Sequence, residues 1–306
     1  VKATFADATN DFVIFNDGFA CPTSYIFKES AINYGDGDGD ARFRYLLDFS
    51  FLETKGKNYD YTDIVEFDFP EGVTHVTKRA FQSVTTIKKV TFPKTVTSIS
   101  SATFQSATGL EECVFEHGEN DSLTSLPGYM FYGCSNLKAF SMPDCVTSIS
   151  DIACFTRCGK MTAVYLSKNL TVMKSGGGGS RTGIFDDCYK MYFVSSPFTT
   201  SDTAPEKPTV YYYPSGLTDI SGDQSAYRSC ESMNQVLVFG TGVTSISNNC
   251  FFQNAPAGTV VVFLGDMASI NTQHWGNTTK IIFANPNDKS SADVASYTNS
   301  RSALFC

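Results

Sequence analysis

The sequence is poor in the residues that most often carry chemistry. It holds three histidines and one tryptophan in 306 residues. The histidines, His75, His117 and His274, are far apart in the chain. A histidine-dependent triad or metal cluster cannot easily be assembled from them. Basic residues are outnumbered, 23 against 31 acidic, leaving a net charge of −8. That balance excludes nucleic acid as a partner, because a phosphate backbone demands a positive footprint. It speaks against anionic membrane surfaces too. No run of eighteen apolar residues occurs, so the chain contains no transmembrane segment. Gly-x-Ser-x-Gly, His-Glu-x-x-His and Cys-x-x-Cys are absent, and the glycines of 176–179 lack the lysine of a phosphate loop. Paired carboxylates that meet across the fold stay open. The expectation is a protein that is not an enzyme and uses no cofactor or metal.

What is abundant is apolar bulk: 42% of the residues, with 26 phenylalanines. It is arranged periodically, and periodicity decides the fold. Val-Thr-Ser-Ile-Ser occurs unchanged at Val96–Ser100, Val146–Ser150 and Val243–Ser247. Looser copies begin at Val73, Leu123, Leu170, Leu217 and Met267. Successive starts are 23, 27, 23, 24, 47, 26 and 24 residues apart, so an expanded or degenerate copy occupies about 170–216. An aromatic follows each start: Phe81, Phe104, Phe131, Phe155, Phe185, Tyr227, Phe251 and Trp275. Three residues later stand Cys134, Cys158, Cys188 and Cys230 in four copies, and small or apolar residues in most others. A short strand comes next, with apolar residues at relative positions 0, 3 and 5, as in Leu137/Phe140/Met142 and Ile87/Val90/Phe92. Proline often closes it, because it cannot extend a ladder. One copy cannot bury this surface alone, whereas stacked copies place like on like.

The pattern resembles the BspA-like leucine-rich repeats, whose coil reads roughly Leu-x-x-Val-x-Ile-Pro-x-x-Val-x-x-Ile-x-x-x-Ala-Phe-x-x-Cys. Ile87 to Ile99 followed by Phe104 matches it closely, as do Leu137 to Ile149, Phe155 and Cys158. The resemblance implies a curved right-handed leucine-rich-repeat solenoid with one short parallel strand per coil of about 23 residues. It also implies an extracellular or cell-surface protein of adhesion or recognition, with no catalytic residues.

Residues 1–63 lack the period and read as an N-terminal cap, with strand-like runs at 11–15 and 42–52. The repeats span 64–284, and 285–306 forms a C-terminal cap with a short helix at 291–297. Stretches 175–180 and 199–208 read as loops inserted into the expanded copy, and 191–194 as a further strand or part of that insertion. Pro214 places Tyr211 and Tyr213 inward and Tyr212 outward. A chain that begins at Val1 is expected to have lost its start, either as a removed secretory signal or as a fragment.

Seven of the ten cysteines fall on repeat slots, which favours small buried hydrophobes over crosslinks. Cys21, Cys145 and Cys306 are unplaced by the repeat, and a disulfide among them stays open. The acidic loop Asp36–Asp40 fails as a calcium loop, since Ala41 and Leu47 stand where glycine and glutamate are needed.

Position 4 of each strand lies between two inward residues, so it faces out. The row reads Asp68, Thr91, Val114, Ser141, Tyr165, Tyr212, Leu237, Val261, Ile282, polar at first and apolar at its end. Val114, Tyr165, Tyr212, Leu237, Val261 and Ile282 are therefore the candidate ligand-binding residues. An apolar strip of this kind suits a protein or glycan ligand, unless an inserted loop or the C-terminal segment covers it. The alternative is a structural spacer of a surface assembly with no ligand of its own.

Overall fold

A computed structural model of the protein describes residues 2–5, 11–13, 64–69, 75–76, 78–116, 122–149, 152–174, 183–220, 227–246, 256, 258–270, 280–284 and 303–305. It is a parallel-strand solenoid with almost no helix, as the repeat requires. The expected strand at 42–52, the helix at 291–297, the acidic loop, Cys21, Cys250, Cys306, His117, His274, Phe251 and Trp275 lie outside the described residues.

Each coil has three sides. The first is the main sheet, built from β1 (Lys2–Phe5), β2 (Asp11–Val13), β3 (Ile64–Asp68), β4 (Lys89–Phe92), β5 (Glu112–Phe115), β6 (Phe140–Ser141) and β7 (Ala163–Tyr165). It continues through β8 (Tyr192–Val194), β9 (Val210–Tyr212), β10 (Val236–Phe239), β11 (Val260–Phe263), β12 (Lys280–Phe283) and β13 (Ala303–Phe305). Parallel ladders join β3 to β5, β6 to β8 and β9 to β13. At the first end β1 runs antiparallel to β3 and carries β2 on its other edge. So two strands extend the sheet there, of which the sequence pattern indicated only the second.

The register puts inward residues over inward residues, as in Phe67, Val90 and Cys113. A strand alternates its faces, which is why β4 and β5 bury every second side chain. The strand ends at a tight turn. The Val96 amide donates to the Pro93 carbonyl at 3.2 Å, Val146 to Pro143 at 3.0 Å and Leu217 to Pro214 at 3.0 Å. The second side is the Val-x-x-Ile run, where Ser98–Ile99, Ser125–Leu126, Ser148–Ile149 and Val172–Met173 form two-residue parallel strands. Their serines, and Val172 in the same register, face outward, while Ile99, Leu126, Ile149 and Met173 are buried.

The third side is a turn centred on the aromatic. Among the described residues nine other than glycine adopt positive φ, and every one stands two positions before or after an aromatic, as Ala102 and Ser106 flank Phe104. A left-handed L-residue costs about 1–2 kcal/mol, so something must offset it. The alternation aims successive amides at the next coil: Ala102 donates to Gly128, Phe104 to Met130 and Ser106 to Tyr132, at 3.0, 2.9 and 2.7 Å. The turn therefore acts as a third ladder. At one such slot, Gly133 (φ 76°) adopts this conformation without the Cβ penalty.

Inside, the repeating rings form a column. Phe81, Phe104, Phe131, Phe155, Phe185 and Tyr227 stack with centroids 5.2–5.6 Å apart and planes within 18° of parallel. A second column runs behind the main sheet. Phe69, Phe92 and Phe115 stack at its start, and Tyr213, Phe239, Phe263 and Phe283 at its end.

The cysteine slot has a reason of its own. Each thiol reaches back one coil to the carbonyl of the aromatic there: Cys134 donates to Phe104, Cys158 to Phe131, Cys188 to Phe155 and Cys230 to Phe185, at 3.0–3.3 Å. A small side chain that also donates weakly fits this place. These residues are thiols, as are Cys113 and the half-buried Cys145.

Burial pushes the thiols of Cys113, Cys134, Cys158, Cys188 and Cys230 above the ordinary value of 9.0. The phenols of Tyr213 and Tyr227 are raised for the same reason. The unfolded chain therefore releases these protons first. Stability should be intact below the ordinary thiol value and fall as pH climbs past it. Urea midpoints at about pH 8 and about pH 10.5 should show a clear loss at the higher pH. A flat response would contradict the burial of the thiol column.

Candidate functional site: the outer face of the main sheet

Two rows of side chains point out of the main sheet. One is Glu66, Lys89, Glu112, Ala139, Ala163, Tyr192, Val210, Val236, Val260 and Lys280; the other is Asp68, Thr91, Val114, Ser141, Tyr165, Val194, Tyr212, Val238, Val262 and Ile282. The face divides into three zones.

The zone over β3 to β5 is charged and half-buried, with Lys89 3.9 Å from Glu112. Val114 belongs here, facing outward as expected but flanked by Thr91 in the register.

The middle zone, over β6 to β8, is covered by the chain itself. The insertion at 195–208 runs back across the strands as a strap. Phe198 and Ala204 pack on Ala139, Ala163, Tyr165 and Val194, a small apolar cluster separate from the core. The Phe198 amide donates to Ser141 Oγ at 3.1 Å. The Ser201 amide and hydroxyl both donate to Glu112 Oε1, at 3.2 and 2.8 Å, across 89 positions of sequence. Tyr165 is consequently 5% exposed. Its hydroxyl donates to Asp144 Oδ1 at 2.8 Å, and Lys168 Nζ sits 2.9 Å from the other carboxylate oxygen. Burial together with the Asp144 carboxylate pushes the Tyr165 phenol up to about 12. For Asp144, burial opposes the charge, but the bonds from Lys168 and Tyr165 outweigh it and hold the carboxyl below its ordinary value. Tyr165 is thus a clamped structural residue, not the open contact residue its position suggested.

The third zone, over β9 to β12, is open and apolar. Tyr212 is 66% exposed, and Val210, Val236, Val260, Val262 and Ile282 are exposed or half-buried beside it. The expectation for Tyr211, Tyr212 and Tyr213 holds, since the outer two are buried and the middle one is exposed. Ile282 also faces outward. Leu237 and Val261 do not. Both are fully buried, aligned with Tyr211 and Ile281 on the core side.

The cause is one extra residue. In earlier coils the first two inward positions are three apart, as in Met161 and Val164; here Met233 and Leu237 are four apart. Gln235 takes up the slack, buried, with Nε2 donating to the Phe193 and Pro208 carbonyls at 2.9 and 3.0 Å and Oε1 accepting the Phe193 amide at 2.9 Å. No backbone ladder joins β8 to β9 among the described residues, and this amide bridges them. In the following coil Thr259 is the buried residue, its hydroxyl donating to the Met233 carbonyl at 2.9 Å. A one-residue slip exchanges the faces of a strand. Val262 takes the place of Val261 in the strip, whereas Val238, which replaces Leu237 on the outer side, is only 6% exposed.

Among the described residues no group of three or more His, Cys, Asp or Glu stands close enough to hold a metal ion. No described helix is long and apolar enough to cross a membrane.

Comparison with known proteins agrees with the coil. The pattern of the BspA type leucine rich repeat region matches residues 54–191 and 209–291, in six copies. The unmatched stretch between them contains β8 and the strap. Among solved structures, the chain is similar to a leucine-rich repeat protein of T. pallidum (17% identity, 69% of this chain and 78% of that one, TM-score 0.43). It is also similar to a leucine-rich cell surface protein of Faecalibacterium prausnitzii (15% identity, 78% and 87%, TM-score 0.38). A third is the pneumococcal vaccine antigen PcpA (14% identity, 82% and 72%, TM-score 0.38). No curated protein matches the chain.

Proposed function

The chain belongs to the BspA-type leucine-rich repeat family, and from that premise we propose that it is an extracellular or cell-surface recognition module. It holds its ligand on the open third of the outer face. The observation that carries this reading is the contrast between zones. Where Ala139, Ala163, Tyr165 and Val194 face outward over β6 to β8, the chain covers them itself; over β9 to β12, Tyr212, Val260, Val262 and Ile282 are left accessible. Contiguous apolar surface of this kind marks interaction sites in soluble proteins. Valine and isoleucine offer no donors or acceptors for sugar hydroxyls, which favours a protein ligand over a glycan. Tyr212 supplies the rigid amphipathic ring typical of contact hot spots.

The test pairs the 306-residue chain with its Tyr212→Asp/Val262→Asp variant on arrays of extracellular-matrix proteins and of glycans. A ligand held by the parent should lose at least about tenfold in affinity in the variant, since hot-spot losses reach 2 kcal/mol or more. Equal binding by both would move the weight to a spacer with no ligand on this face.

A further inference from the structure

The strap is thin. None of residues 195–208 is buried and eight of them are exposed, yet Ala139, Ala163, Tyr165 and Val194 beneath it are sealed. Its far end is tied down, with the Pro208 carbonyl accepting from Gln235 Nε2 at 3.0 Å and Lys207 Nζ reaching Asn234 Oδ1 and the Ser232 carbonyl. Across the trough itself its hold is the Phe198 ring, Ala204, and the amides of Phe198 and Ser201 with the Ser201 hydroxyl. Small side chains in successive strands, Ala139 and Ala163, leave a trough on which Phe198 packs. On one side Ser141 Oγ accepts the Phe198 amide; on the other Glu112 accepts the amide and hydroxyl of Ser201. The sheet thus reads main-chain donors three residues apart, plus a ring and a hydroxyl. Main-chain contacts tolerate many sequences, and side-chain pockets select among them, as in other modes of peptide recognition.

We propose that residues 197–204, which turn through a short 3-10 helix at Ser201–Thr203, are a built-in occupant of a peptide-docking trough, which a similarly turned segment of a partner protein enters when the strap lifts. The segment carries an aromatic residue followed three positions later by serine or threonine. An acidic side chain at the second place is disfavoured, because Glu112 already supplies a carboxylate there. This rests on the reading of the open strip as a recognition face and enlarges it: the emptied trough over β6 to β8 stands on the same outer side as Tyr212 and Val210, with β8 linked to the next coil through the stacked rings of Phe193 and Tyr211 and the Gln235 amide. The ligand drives the exchange only by its differential affinity for the lifted state.

The probe is a labelled peptide of residues 196–207, with a second of unrelated sequence that keeps only an aromatic and a threonine three positions on. Fluorescence anisotropy is read on the full chain and on Phe198→Ala, which loosens the strap while leaving the trough. Phe198→Ala should bind both peptides at least tenfold more tightly than the parent. Adding Ala163→Phe, which fills the trough, should cancel that gain, and peptides without the ring should not bind. If Phe198→Ala keeps the parent's circular dichroism yet binds neither peptide, or binds ringless peptides as well, the proposal is overturned. Hydrogen exchange on the unaltered chain gives an independent reading. Amides of 198–201 should exchange at least a hundredfold faster than those of β7, and equal protection would also overturn it. Tyr212→Asp/Val262→Asp leaves the trough intact, so peptide binding should survive in that variant and failure of the open-strip reading shows separately.

Discussion

Phe131→Ala is expected to break the solenoid into two weakly coupled halves. Phe131 is fully buried between Phe104 and Phe155, with centroids 5.6 and 5.2 Å away, and it also touches Phe140 at 5.2 Å. Truncating a core phenylalanine costs about 3–5 kcal/mol, from lost transfer energy and the cavity left behind. In a globular core neighbours partly collapse into such a hole. Here they are fixed by ladders on three sides, because the amides of Tyr129, Phe131 and Gly133 donate to Ile152, Cys154 and Thr156. Collapse is therefore limited, and the cost should fall at the upper end of the range. A repeat array is held by nearest-neighbour interfaces, so one weak interface lets the segments melt separately. Calorimetry should show the single transition of the parent replaced by two, or lowered by at least about 8 °C. Phe131→Leu, which keeps most of the volume, should lose less than half as much. A change within about 0.5 kcal/mol for Phe131→Ala, the level of an ordinary surface substitution, would refute a continuous ring column.

The same column explains why so much of the fold was legible in the sequence. A coil that repeats must place Phe81, Phe104, Phe131 and Phe155 over one another, so spacing alone locates them. The cysteines three residues on follow from the same phase, although their hydrogen bonds to the previous coil's carbonyls are visible only in three dimensions. Proline sets where a strand stops, which is how Tyr212 could be assigned outward. What could not be read is what depends on a local exception. Val-Leu-Val-Phe and Val-Val-Val-Phe are apolar in both phases, so alternation says nothing about which valine faces out. Only Phe239 and Phe263, aligned with Phe283, reveal the register. The strap was recognisable as an insertion, and an inserted loop covering part of the outer face stayed open from the sequence, but not which strands it would lie on. Its one signal was that Ala139 and Ala163, the outward neighbours of Phe140 and Val164, are unusually small for a free face.

That register makes adjacent residues behave oppositely when replaced by aspartate. Val261 is fully buried, aligned with Leu237 on one side and Ile281 on the other. Val262 is half-buried on the outer face, between Val238 and Ile282. A carboxylate at 261 has no donor among the apolar residues around it, and an uncompensated charge in a core costs several kcal/mol. Val261→Asp should therefore lower the melting temperature by at least about 10 °C or prevent accumulation of folded protein. Part of the loss should return on acidification. The buried carboxyl is raised above its unfolded value, so the deficit is smallest below about pH 4, where both states are protonated, and grows as pH rises. Val262→Asp meets water, keeps the parent's far-UV spectrum, and should melt within about 3 °C of it, with no gain at low pH. The two variants differ by a single position and by no other chemistry, so propensity and net charge cancel between them. Were Val262→Asp the damaging one, and Val261→Asp benign, the sheet from β9 to β12 would have to pair one residue out of the register described, and the open apolar strip would consist of Leu237 and Val261 after all.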